Sequence, residues 1–361
     1  MKTFTVKLLF LLITFLLVAA CTSPASAPAP IPTNPISETT PISGTPIAVV
    51  GTPLGGSTQI PFNAELIDYI HKNLIFRLKI PVNWKVDEQE SFTDITAPDE
   101  SGSIQVIAVN TGVELNELGF ANFVDTTEKN NFASNQNYSQ VERTVDNRKW
   151  VSILRSTFDA NKIPQKMLSI YQRVGRVVFY IHFKTNASSY EKNNLLFEQI
   201  IQSSYFNSAK EAEIIPYNLV YEFNGPKNLF MLDVPTNWTY QKNSINNEIQ
   251  DTFISPDAHA RIINMAYDDS NLITRSHADR IALELLKEIY AKDVRISESS
   301  TQPDLSIRWS WTSKISGIEG TTFYETRGTS FLMLTFFCDI EYKEIFNPLF
   351  NRLIETYRRP E

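Results

Sequence analysis

The sequence predicts an α+β protein: two tandem copies of one domain, each an antiparallel sheet with two helices, behind a signal peptide and a disordered linker. Three observations carry this. A composition that is 42% hydrophobic and 20% charged supplies packed cores and excludes a wholly disordered chain. From about Asp68 onward the chain repeats itself, element by element. Its β segments come in runs joined by hairpins and do not alternate with helices, as they would in a parallel βαβ sheet.

The N-terminal element is an address. Lys2 and Lys7 precede an apolar run from Leu8 to Ala20, broken only by Thr14. That run is too short to cross a ~30 Å hydrocarbon core comfortably and has the layout of a secretory signal. It ends in Leu17-Val18-Ala19-Ala20-Cys21, which resembles the lipobox of bacterial lipoproteins, with Val18 where leucine is commonest. The resemblance implies cleavage between Ala20 and Cys21, a diacylglyceryl group on the Cys21 sulfur, and palmitate-type acyl chains holding the protein to a membrane. The alternative is a plain secretory signal followed by an unrelated cysteine. Two or more acyl chains give stable attachment, at ~0.8 kcal/mol per buried methylene. Removing residues 1–20 lowers Lys+Arg from 33 to 31 against 40 acids, so the mature chain carries about −9. An anionic bilayer does not attract such a chain, and a nucleic-acid binder would show a basic stripe.

Residues 21–64 read as a Pro/Ser/Thr-rich tether. Nine of the nineteen prolines lie between Pro24 and Pro61, and Glu38 is the only charged residue from Thr22 to Ala64. Proline removes backbone donors and favours extended conformations, so this stretch has no means of building a core. It would reach about 120 Å as polyproline II and average ~35 Å as a coil.

Next come the two copies, 66–208 and 216–361. Phe76, Leu78, Pro81, Asn83 and Trp84 recur as Phe230, Leu232, Pro235, Asn237 and Trp238. Ala97-Pro98-Asp99 recurs as Ser255-Pro256-Asp257, and Tyr171, Gly175 and Phe183 recur as Tyr324, Gly328 and Phe336. A unit of this size buries ~68–70% of its unfolded surface.

Each copy opens with a strand that ends at Pro-x-Asn-Trp, because proline cannot continue a ladder. A hairpin follows: Thr93–Thr96 with Ile104–Val109, and Asp251–Ile254 with Arg261–Tyr267. Then comes a helix. In the second copy Ala278, Ile281, Ala282, Leu285 and Ile289 share one face, and Ser276 with Asp279 suggests a capping box. In the first copy the helix near Leu115–Phe132 is interrupted by Gly119. The β segments after it are Gln140–Phe158, Lys166–Arg173 and Arg176–Lys184, then Arg308–Ser313, Thr321–Arg327 and Ser330–Asp339. A last helix closes each copy, capped by Ser188 in the first and striped by Phe346, Leu349, Phe350 and Leu353 in the second; Pro348 suits its first turn.

The strand into Pro-x-x-Trp, the Pro-Asp hairpin, the central helix, the meander and the terminal helix together resemble the PsbP/DcrB/Mog-like fold. The resemblance spans Asp68–Ser204 and Tyr221–Arg358 and rests on core and turn residues. It implies an α/β/α sandwich around an antiparallel sheet. That superfamily includes photosystem II extrinsic proteins, a nuclear GTPase-binding protein and many bacterial lipoproteins, so it also implies a binding or assembly role without a catalytic centre.

Chemistry is sparse. Two cysteines and four histidines exclude a disulfide framework and multi-cysteine metal centres. No phosphate loop, nucleophile elbow, H-E-x-x-H or C-x-x-C occurs, so no catalytic residue, metal or cofactor is expected. Cys338, aligned with Thr185, reads as a small buried filler, and His182, aligned with Thr335, as a paired polar residue in the sheet. Asp268 and Asp269 could collect a hard cation such as Ca²⁺ or stand as solvated turn acids. Trp84 and Trp238 read as core. Trp309 and Trp311 share one strand face, with Trp150 near the equivalent place; left uncovered, that face would be the aromatic patch for a protein partner.

The function expected is that of a lipid-anchored, extracytoplasmic, non-catalytic binding or assembly protein. It would meet the membrane through Cys21, a protein partner of unknown identity, and no nucleic acid. A solute-binding lipoprotein of a transporter is the first alternative, disfavoured by the absence of βα alternation. A hydrolase is the second.

Overall fold

Alternation of buried and exposed side chains builds the strands of both halves, most regularly over Trp150–Phe158 and Ile307–Ser313. The computed structural model describes residues 65–89, 92–133, 138–146, 150–159, 161–245, 248–290, 292–304 and 306–359. All of them belong to one of the two units into which the chain divides, Gly44–Glu361. None of the helices among them is long and apolar enough to cross a membrane.

The first half begins with β1 (Leu66–Ile70) and β2 (Phe76–Pro81), turns at Trp84, and continues as β3 (Lys85–Glu88), β4 (Phe92–Thr96) and β5 (Gly102–Asn110). Helix α1 (Glu117–Glu128) runs into a π-helical turn over Lys129–Ala133. Then come β6 (Ser139–Asp146), β7 (Trp150–Phe158), β8 (Pro164–Val174) and β9 (Val177–Asn186), followed by α2 (Tyr190–Ser203) and β10 (Tyr205–Phe206), which returns to β2. The main sheet has seven strands in the order β3-β4-β5-β9-β8-β7-β6, antiparallel at every junction.

The second half supplies β11 (Val220–Asn224), β12 (Met231–Pro235), β13 (Thr239–Ile245), β14 (Glu248–Ile254) and β15 (Ala260–Asp268), then α3 (Arg275–Ile289). It ends with β16 (Arg295–Thr301), β17 (Ile307–Ser313), β18 (Ile318–Arg327), β19 (Ser330–Asp339) and α4 (Lys343–Ile354). Its sheet also has seven antiparallel strands, in the corresponding order β13-β14-β15-β19-β18-β17-β16.

Local irregularities recur as well. The edge strands β6 and β16 carry register shifts at Gln140/Glu142 and Ile296/Glu298, which are matching places. Gly175 and Gly328 open two-residue hairpin turns at φ 57° and 63°, a conformation that favours glycine. Two pairs of non-glycine residues share the left-handed region, Leu74 with Asn228 and Glu100 with Ala258.

The central strands are buried on both faces. Ile104, Val106 and Ala108 of β5, with Phe179, Ile181 and Phe183 of β9, pack against Leu196, Phe197, Ile200 and Ile201 of α2. The intervening residues Ile107, Val109, Val178 and Tyr180 belong to a different cluster, with Phe120, Phe123 and Val124 of α1. β15 and β19 divide in the same way between α4 and α3. Each fully buried large apolar side chain contributes roughly 1.5–3 kcal/mol, so the two helix-covered faces carry most of the stabilisation.

Several local expectations change. Gln140–Phe158 is a hairpin of two strands, β6 and β7. The residue before α3 is Thr274, so Ser276 lies inside the helix, and Asp279 accepts bonds from Arg275 Nε (3.1 Å) and the Tyr324 hydroxyl (2.6 Å). Ser188 falls in a 3₁₀ turn before α2 and makes no side-chain cap there. The side-chain cap belongs to α1, where Asn116 Oδ1 accepts from Gly119 N at 2.8 Å. Pro348 sits in the second turn of α4, beyond the positions where a missing N–H is free of cost.

Candidate functional site

The tryptophan patch is the first expectation the structure corrects. Trp309 and Trp311 do share a face of β17, but α3 covers it: Trp311 is 1% exposed and Trp309 9%. Trp311 Nε1 donates to Thr322 Oγ1 at 2.9 Å and Trp309 Nε1 to Ser299 Oγ at 3.0 Å, so neither indole end is offered to a partner. Trp150 is not their counterpart. Val151 opposes Tyr171 as Ile307 opposes Tyr324, which makes Ile153 and Arg155 the counterparts of Trp309 and Trp311. Trp150 is one residue out of step, half-buried on the other face.

Below α1 the first half holds a group of polar residues that the second half lacks. Arg155 is fully buried and pairs through Nη2 with Glu128 Oε1, which also accepts the Tyr171 hydroxyl at 2.5 Å. Phe132 from the π-helical turn places its ring 4.1 Å from the Arg155 guanidinium. His182 lies alongside, its Nδ1 in a short contact with Ser169 Oγ and its ring edge-on to Phe132, Tyr171 and Tyr180. Burial, and then the Arg155 charge, push His182 down to about 3. Burial, and then the Glu128 charge, raise the Tyr171 hydroxyl well above its usual range.

At the same places the second half has Leu286 for Glu128, Trp311 for Arg155, Tyr290 for Phe132, Thr335 for His182 and Thr322 for Ser169. There Tyr290 stacks on Trp311 with centroids 5.4 Å apart, and Thr322 bonds Thr335 at 3.0 Å. The fold therefore does not need the charged version. A neutral histidine and a paired carboxylate enclosed in a core bracket α1 to the sheet and are shut off from a solvent-borne substrate. Sequence reasoning passed over both charges, although a signal was present. Arg155 sits in phase with the inward residues Val151 and Ile153, and Glu128 continues the inward helical series of Phe120 and Val124.

The outer side of α1 meets the second half. Asn122 Nδ2 donates to Pro256 O (3.2 Å), Asn130 Nδ2 to Thr236 O (2.8 Å), and Thr126 Oγ1 bonds Thr239 Oγ1 (2.9 Å). Asn237 Nδ2 returns a bond to Thr127 Oγ1 at 2.8 Å. The Pro-x-Asn-Trp corner of the second half is thus enclosed, with Asn237 1% and Trp238 0% exposed, while Asn83 is exposed and Trp84 half-buried in the first. The chain where the first half passes into the second is tied down too. Tyr217 N donates to Asn110 O, and Arg352 Nη2 donates to the carbonyls of Pro216 and Tyr217, both at 2.9 Å.

Among the remaining residues, Asp269 accepts from Asn271 N at 3.1 Å, as turn acids do, and Asp268 at the end of β15 accepts from Ser330 Oγ on the paired strand β19. No group of three or more His, Cys, Asp or Glu is placed to hold a metal ion among the described residues. Cys338 is buried in the second-half core, and burial pushes its thiol up to about 12. Ala20 and Cys21, the cleavage and lipidation positions, lie outside the described residues.

No protein-family profile matches the sequence, and no curated protein matches it. Solved structures with low-identity likeness include cyanobacterial PsbP (CyanoP) from Synechocystis sp. PCC 6803, at 12% identity and TM-score 0.33, over 43% of this chain and 100% of that one. A Pseudomonas aeruginosa protein of unknown function shares 13% identity over 38% of this chain and 94% of its own, at TM-score 0.28. The immunity protein TplEi of the P. aeruginosa T6SS, solved with an "L" peptide, shares 10% identity over 83% of this chain and 100% of its own, at TM-score 0.21.

Proposed function

We propose that this chain is a lipoprotein held on the extracytoplasmic side of a membrane by acylated Cys21, and that it works by binding or assembly, not catalysis. The observation that carries the reading is the N-terminal order: Lys2 and Lys7, the apolar run, Leu17-Val18-Ala19-Ala20-Cys21, and then a Pro-rich segment with a single charge. The globular residues are two copies of a PsbP-like α/β/α sandwich, with boundaries near 66–208 and 216–361. The shared strand order, the matched bulges and the division of each core between two helices support that duplication.

The binding role draws support from where the charged chemistry sits. Glu128, Arg155 and His182 are committed to holding α1, and the second half fills the same space with Leu286, Trp311 and Thr335. Growth with an alkyne-tagged palmitate, followed by capture, tests the anchor. The wild-type chain takes up label and the Cys21→Ser chain does not; equal labelling of both defeats the reading.

A further inference from the structure

A cavity of about 260 Å³ opens on the α4 side of the second-half sheet. Its walls include Phe230, Phe323, Leu332, Leu334, Ile354 and Tyr357. Asp304 and Glu325 stand at its edge, both paired with Arg359, and Glu325 also with Arg327 at 2.7 Å and the Tyr357 hydroxyl at 3.1 Å.

The first half shows why the space exists. Arg358 bridges Met231 as Tyr205 pairs with Arg77, so Arg359 is the counterpart of Phe206, and Leu332 that of Phe179. In the first half Phe179 and Phe206 are 1% and 3% exposed and pack with centroids 5.7 Å apart. In the second half the shorter Leu332 replaces one ring. Arg359 replaces the other and turns outward to Asp304 at 2.8 Å. Ser306 stands where the first half has Trp150. Tyr357 in place of Ser204, stacked on Phe230 at 6.0 Å, returns only part of the lost volume. One backbone design is thus filled in one copy and open in the other.

We infer that this cavity is a binding site for a neutral, largely apolar small molecule built on an aromatic ring or a short alkyl chain. The walls favour an apolar body, and an apolar cavity of ~150 Å³ already suffices for benzene. The two carboxylates at the edge, Asp304 and Glu325, are already paired with Arg359 and Arg327, so a cationic head finds no free partner there and an anionic head meets carboxylate oxygens. This goes beyond a tethered binding protein and does not depend on it.

The test is fluorescence titration of the full chain with N-phenyl-1-naphthylamine, beside its anionic relative 8-anilinonaphthalene-1-sulfonate. Leu332→Phe and Ser306→Trp restore the bulk the first half uses, and matched samples cancel any signal from the N-terminal segment. The neutral probe should saturate at one site, with at least tenfold weaker binding in each filled variant that keeps the wild-type far-UV circular dichroism, and the sulfonate should bind at least tenfold more weakly. No saturable binding of the neutral probe, unchanged binding in a folded filled variant, or equal affinity for the sulfonate overturns the assignment.

Discussion

Glu128 and Arg155 form a buried ion pair in the first half at the two positions where the second half packs Leu286 and Trp311. Removing one member of such a pair strands the other without a partner, whereas replacing both by apolar residues is often neutral. Glu128→Leu alone should therefore cost about 3–5 kcal/mol in urea unfolding, and Glu128→Leu/Arg155→Trp should recover much of that loss. A double variant no more stable than the single one would show that the polar version is built into the first-half backbone.

His182 makes the first half sensitive to acid. An unfolded histidine titrates near 6.5, and the folded one near 3. As pH falls through that window the unfolded chain takes up a proton that the folded chain refuses, so stability declines by about 1.4 kcal/mol per pH unit from this group. His182→Thr, the residue type at Thr335, should remove this dependence, so the wild-type minus variant stability difference should fall by about 1.4 kcal/mol per pH unit between pH 6 and 4. Parallel stability curves for the two proteins would contradict the burial argument.

Asn237 and Asn83 occupy the same place in the two halves with opposite surroundings. Asn237 is enclosed by α1 and bonded to Thr127, and Asn83 is exposed. Asn237→Ala should lower stability by about 1–2 kcal/mol. Asn83→Ala should stay within ~0.5 kcal/mol of wild type. Thermal denaturation of both variants checks the pair, and equal effects would mean that α1 does not seat on that corner in solution.

Cys338 should be inert in the folded protein. Its side chain is buried and burial pushes its thiol up to about 12, so little thiolate exists at neutral pH. Alkylation of the Cys21→Ser chain should occur only after denaturant is added. Rapid labelling of Cys338 in buffer would refute its placement.

Much of the sheet is legible where, as in β17, Ile307, Trp309 and Trp311 alternate with Arg308, Ser310 and Thr312, because alternation is a direct trace of one buried face. The edge strands β3, β13 and β16 were missed for the converse reason. Segments such as Lys85–Glu88 and Arg295–Thr301 are polar, and only pairing with β4 and β17 makes them strands. Parity put Trp309 and Trp311 on one face correctly, yet which face α3 covers is a tertiary fact. Trp150 resembles them in type and place, and a one-residue slip in register puts it on the opposite side. The ion pair was hidden because charges are normally read as solvated, and the cavity because it depends on where Arg359 points.

Intact mass spectrometry of the membrane-extracted protein tests the proposal of a lipid-anchored chain most directly. A mature chain that begins at Cys21 and carries the added mass of a diacylglyceryl group, lost in Cys21→Ser, is the expected result. A chain that begins elsewhere, or begins at an unmodified Cys21, would contradict it.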